Sequence, residues 1–112
     1  MDKLIEILIE NSSDYVVLLD SDRKILGVNP KVTKSLGYEE SDLLGKPVAF
    51  LYPESVFPRA EEVVREMLVG SERRCELPMI DNRGKIHYVE TRIHSYPGKE
   101  NLFISFSRDL TK

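Results

Sequence analysis

The chain switches between two hydrophobic periods, and the switches divide it into elements. At the start, Leu4, Ile5, Leu8 and Ile9 recur at helical spacing with Asp2, Lys3, Glu6 and Glu10 between them, which predicts a short amphipathic helix over residues 1–10. So short a helix is marginal alone in water, so its stripe must be buried on its own domain or against the same helix of a second copy. Residues 15–19 form an apolar run too short for a helix and rich in β-branched and aromatic side chains. With the turn Asp20-Ser21-Asp22-Arg23 and the run 25–28, it predicts a hairpin. Asn29-Pro30 suits a helix start, asparagine as acceptor for an orphan amide and proline at the first helical position, and Gly37 suits its left-handed stop. Residues 39–44 predict a further helical turn closed by Gly45.

The clearest helix is 58–69, where Ala60, Val63, Val64, Met67 and Leu68 share one face and Glu61 and Glu62 lie near the positive N-terminus; Gly70 stops it. The period then drops to two. Runs at 72–80, 86–96 and 102–107, separated by Asp81-Asn82-Arg83-Gly84 and Pro97-Gly98-Lys99-Glu100, predict three antiparallel strands. The order of helix, two strands, short helices, longer helix and three strands defines an α+β class. Its economical form is one five-stranded antiparallel sheet with the helices on one face.

At 112 residues there is room for one domain, placed at 11–112 behind the N-terminal helix 1–10. The 16 basic and 19 acidic residues are interspersed, giving a net charge of −3 and no basic stripe for nucleic acid. Glu6 and Glu10 interrupt the N-terminal apolar residues, which excludes a signal peptide or direct membrane insertion by that segment. The single cysteine, Cys75, rules out an internal disulfide and fits a cytoplasmic setting, including the cytoplasmic part of a membrane-bound sensor.

Four local features, in order, resemble the PAS sensor family across nearly the whole chain. They are Tyr15-Val16-Val17-Leu18-Leu19-Asp20 before a turn, Val28-Asn29-Pro30, Leu36-Gly37-Tyr38-Glu39 running on to Leu43-Leu44-Gly45-Lys46, and the closing Arg108-Asp109-Leu110-Thr111. The last is similar to the Arg-Asp-Ile-Thr ending of many such domains. The resemblance implies a PAS fold and a non-catalytic sensory module. Arg108, Asp109 and Thr111 would relay a conformational signal to a downstream effector such as a histidine kinase in a two-component system.

The resemblance does not name a ligand, and residues must decide. Haem-binding relatives place a histidine on the long helix, and 58–69 has none; His87 and His94 lie seven apart on one strand and so on opposite faces. Photoactive flavin relatives need a cysteine in an Asn-Cys-Arg-Phe-Leu-Gln-like helix, which is absent. Cys75, beside Arg73 and Arg74, reads as a small inward residue before it reads as a redox sensor. Asp20-Ser21-Asp22 lacks the rest of a calcium loop, and no nucleophile and base form a catalytic set. The cofactor is therefore left unknown, with haem and photoactive flavin disfavoured and no metal expected.

In the family's fold the sheet and long helix enclose a small cavity. Val89, Thr91 and Ile93 alternate against Tyr88, Glu90, Arg92 and His94, and the first set is expected inward. The expected lining is Val17, Leu19, Val28, Leu36, Leu44, Val63, Val64, Met67, Met79, Ile104 and Phe106, with Thr91 and Cys75 as its polar atoms. Such a pocket suits a small hydrophobic ligand or close packing, whereas inward Arg92 and His94 would favour a carboxylate. The alternative is a ligand-free dimerisation and interaction module, with Leu4, Ile5, Leu8 and Ile9 pairing two copies into a homodimer.

Overall fold

A computed structural model describes residues 3–69 and 74–110. Strands β1 (Tyr15–Asp20), β2 (Ile25–Val28), β3 (Cys75–Ile80), β4 (Ile86–Ser95) and β5 (Leu102–Asp109) form one antiparallel sheet in the order β2-β1-β5-β4-β3. Helix α1 (Lys3–Glu10) precedes the sheet. Helices α2 (Pro30–Leu36), α3 (Glu40–Leu43) and α4 (Phe57–Leu68) lie between β2 and β3, with 3-10 turns at Val48–Leu51 and Glu54–Val56. The expected class and topology hold. The expected strand 72–80 is described from Cys75 on, while Gly70, Arg73 and Thr111 fall outside the described residues.

Two hydrophobic cores occupy opposite faces of the sheet. The larger takes Tyr15, Val17 and Leu19 from β1, Leu77 and Met79 from β3, Val89 from β4, and Ala60, Val63, Val64 and Met67 from α4. The smaller takes Val16, Tyr96 and Ile104, with Ile5, Ile9, Leu18 and Phe106 packed on it. The N-terminal helix therefore folds back on the outer face of its own sheet. Only half of its stripe does so: Leu4 and Leu8 are each 63% exposed.

Both short hairpins are closed in the same way. Asp20 Oδ1 accepts from the amides of Asp22 and Lys24, each at 2.9 Å, and Asp81 Oδ1 accepts from Arg83 at 2.9 Å and Lys85 at 2.8 Å. The Asp20-Ser21-Asp22 carboxylate thus shapes a turn. The sheet's edges are also managed. Gly45, Lys46 and Val48 exchange backbone bonds with Ile25 and Arg23 along β2, and Pro78 sits in edge strand β3, where a missing N–H is tolerated.

Gly37 ends α2 at φ +80°, and a Cβ there would come within 2.3 Å of Asn82 Oδ1. The close approach is used: Asn82 donates its side-chain amide to the Gly37 carbonyl at 2.8 Å and its backbone amide to Leu36 at 2.9 Å. Tyr38 adds a hydroxyl bond to the Ile80 carbonyl at 2.7 Å. The Leu-Gly-Tyr segment is where the helical side of the domain clamps the β3–β4 hairpin.

Candidate functional site

The candidate site lies between the inner face of the sheet and α4. Leu36, Val63, Val64, Met67, Cys75, Met79 and Val89 all enter this core, and Thr91 is buried beside them. Val28 is only partly buried at its margin. Two expected lining residues are corrected. Leu44 is 44% exposed because α3 ends at Leu43, and Leu43 is the side chain that turns inward. Ile104 is buried, but in the outer core, together with Phe106; Phe103, Ser105 and Ser107 are the residues of β5 that face inward.

The inner face therefore carries more hydroxyls than the sequence suggested. Thr91 Oγ1 and Ser107 Oγ lie 2.7 Å apart on paired positions of β4 and β5, with buried Ser105 two residues away on the same face. Tyr52, from the irregular segment before α4, is wholly buried in the same core. Burial pushes its phenol up to about 12, a hydrogen bond with Thr91 pulls the other way, and the nearby Cys75 adds to the rise. The Arg59 guanidinium of α4 comes within 4.0 Å of Cys75 Sγ. Among the described residues no charged side chain is buried, so the interior is apolar with a neutral hydroxyl seam.

The seam leads to the chain's exit. β5 continues through Arg108 and Asp109, so these residues are part of the sheet rather than a tail beyond it. Arg108 faces Glu90 at 3.6 Å, and Asp109 accepts from the Tyr15 hydroxyl at 3.4 Å. Burial first, then the Asp109 charge, pushes Tyr15 up to about 12, while Lys31 lies 5.2 Å over its ring. Close by in sequence, His87 Nε2 meets Asp81 Oδ2 at 2.9 Å; this bond, with the turn amides, holds the Asp81 carboxyl down at about 2. His94 instead packs edge-on against Phe106 on the outer face. The two histidines are separated by the sheet, and among the described residues no cluster of His, Cys, Asp and Glu could hold a metal ion.

Asn29, expected as a helix cap, makes no such bond with its side chain. It accepts from the Val16 amide at 3.0 Å and donates to the carbonyls of Ile9 at 3.1 Å and Asp14 at 2.9 Å.

A five-stranded antiparallel sheet with helices packed over a neutral core, its last strand hydrogen-bonded to the first, is the architecture of a PAS sensory module. A family model described as PAS domain matches residues 13–112, and the chain belongs to this family. The PAS domain of an HTR-like protein from Haloarcula marismortui is 30% identical, with a TM-score of 0.76 over 96% of this chain and 90% of that one. The signal transduction histidine-protein kinase AtoS of Escherichia coli (strain K12) is 25% identical over 109 residues, 95% of this chain. The chain spans 18% of that relative's length. The LOV protein of Rhodobacter sphaeroides is 20% identical with a TM-score of 0.81, covering 100% of this chain and 70% of that one, and shares the fold alone. Fold therefore does not separate this chain from LOV proteins; Cys75 stands on β3.

Proposed function

We propose that the chain is the input module of a larger signalling protein, sensing a small uncharged ligand in its inner core and relaying the change through β5. The observation that carries this reading is the buried Thr91–Ser107 hydroxyl pair between β4 and β5, with Ser107 two residues before Asp109, where β5 ends. A ligand that takes over one hydroxyl breaks their mutual bond and favours a different seating of β5 against β4. A bias of this kind requires only that the ligand bind the two seatings unequally. The likeness to AtoS supports a histidine kinase as the effector, and the single buried cysteine supports a cytoplasmic setting.

Native mass spectrometry of freshly expressed protein and a thermal-shift screen of small neutral alcohols, ketones and aromatics test the reading. A hit should raise the melting temperature of the natural chain and lose most of that effect in Thr91→Val. If no compound is retained and none shifts melting, the sensing role is wrong.

A second reading, a ligand-free dimerisation module, is favoured by one observation: Leu4 and Leu8 stay exposed on α1 after Ile5 and Ile9 have docked.

A further inference from the structure

Helices α2, α3 and α4 all pack into the inner core, through Val32 and Leu36, Leu43, and Val63 and Met67 respectively. Among the described residues α1 is therefore the helix on the other face of the sheet, where Ile5 and Ile9 pack on the cluster of Val16, Tyr96 and Ile104. Tyr96 is buried in that cluster, and among the described residues its hydroxyl has no hydrogen-bond partner. A phenol in this state has given up water without replacing it, and it regains water when the helix over the cluster lifts. Docking of α1 thus carries a penalty at Tyr96.

The helix is also weakly held. None of its residues is fully buried, and its eight residues are too few to stay helical alone in water. Glu6 and Glu10 stand one turn apart as a like-charge pair, and Glu10 lies at the negative end of the helix dipole with no basic residue in the last turn. Against these act the packing of Ile5 and Ile9 and the Asn29 side-chain bond to the Ile9 carbonyl. That carbonyl also accepts from the Ser12 amide at 3.2 Å, so it keeps a partner when Asn29 lets go. The sheet beneath is joined without α1: β1 pairs with β5 from Tyr15 to Asp20, and β4 with β5 from Val89 to Ser95.

We infer that α1 is a releasable strap, docked on the outer face at rest and able to lift from it while the sheet and inner core stay folded, with the buried Tyr96 hydroxyl biasing it toward release. Lifting uncovers Ile104 and Phe106, which alternate along β5 with the inward Ser105 and Ser107, so the strap acts on β5 from the side opposite the inner core. Nothing in this arrangement requires a ligand in that core.

Native-state hydrogen exchange of the 112-residue chain, followed by NMR at low urea concentrations, tests the strap. Amides of Ile7 to Glu10 should exchange at least about tenfold faster than those of β1 and β5 and respond little to urea, the mark of an opening that exposes little surface. Tyr96→Phe should slow exchange of these α1 amides by about fivefold or more. Ile5→Ala/Ile9→Ala, in which the strap is already loosened, supplies the control: there Tyr96→Phe should leave the melting temperature unchanged, whereas in the natural chain it raises it. Exchange of α1 with the urea dependence of β5, no slowing in Tyr96→Phe, or an equal gain in melting temperature in both backgrounds would each overturn the strap.

Discussion

The side-chain amide of Asn29 donates to the carbonyl oxygen of Ile9 at 3.1 Å, joining the last turn of α1 to the residue just before α2. Because the same side chain also holds the Asp14 carbonyl and the Val16 amide, one buried residue fixes the helix, the linker and the first strand relative to each other. Apolar packing of α1 is slight, with no residue of the helix fully buried, so this polar tie sets where the helix sits.

Asn29→Ala should therefore destabilise the domain by about 2–4 kcal/mol, since it leaves the buried Val16 amide and the Asp14 carbonyl without that partner, while the Ile9 carbonyl keeps the Ser12 amide. Urea unfolding measures the loss. Hydrogen exchange in the same variant should show the α1 amides losing protection before the sheet; equal protection of α1 and β5 would show that the tie does not control the helix.

Gly37 and Asn82 are expected to be coupled. Gly37→Ala places a Cβ against the Asn82 side chain and holds alanine in the left-handed region, a backbone cost of about 1–2 kcal/mol before the clash is counted. In an Asn82→Ala background only the backbone cost should remain. A double-mutant cycle by chemical denaturation should give a coupling energy above about 0.5 kcal/mol, and simple additivity would argue against the clamp.

Among the described residues the Tyr96 hydroxyl, buried in the outer core, has no hydrogen-bond partner. A buried hydroxyl in that state costs about 1–3 kcal/mol, so Tyr96→Phe should raise stability, by about 1 kcal/mol once small packing losses are included. The melting temperature reports the sign directly: a fall would mean that the hydroxyl has a partner in solution.

What the sequence hid follows from where the second core lies. The phase of β4 could be read because its outer residues Tyr88, Arg92 and His94 are exposed, which leaves Val89 and Thr91 as the inward set. The phase of β5 could not, because α1 covers the outer face there, so Ile104 and Phe106 are apolar for a reason unrelated to the inner core. Ser105 and Ser107 then look like surface residues although they are buried, Ser107 being satisfied by Thr91 across the strands. Tyr52 lies between two prolines in a segment with no period, where no face could be assigned. Leu43 and Leu44 are chemically alike, and only the end of a four-residue helix decides which one is buried. By contrast, Leu36, Gly37 and Tyr38 were recognisable as a unit because each meets a separate physical demand: core packing, a left-handed stop and a bond to Ile80.

Alkaline pH should weaken the domain through Tyr15 and Tyr52. Both phenols are pushed up to about 12 from an ordinary value of 10.0, chiefly by burial, so the folded state holds their protons more tightly than the unfolded state does. That contribution is fully present below pH 10 and is lost as pH rises through 12. Tyrosinate absorbance should show late-titrating groups, to which Tyr38, also raised by burial, contributes, with Tyr15→Phe removing one of them. Ionisation of all five tyrosines in a single step near 10, with the fold intact, would contradict it.

Leu4 and Leu8 allow docking of α1 to be separated from pairing of two copies. Ile5 and Ile9 pack on the outer core, whereas Leu4 and Leu8 point away from it on the same helix. Leu4→Glu/Leu8→Glu should leave unfolding of the single domain nearly unchanged, because exposed substitutions of this kind cost within about 0.5 kcal/mol. Ile5→Ala/Ile9→Ala should instead release the helix and lower stability. If two chains pair through the exposed half of the stripe, light scattering will find the natural chain dimeric and the glutamate variant monomeric at equal concentration. A natural chain that is monomeric at high concentration, or a glutamate variant that stays dimeric, would remove α1 from the interface and leave its exposed leucines without that role.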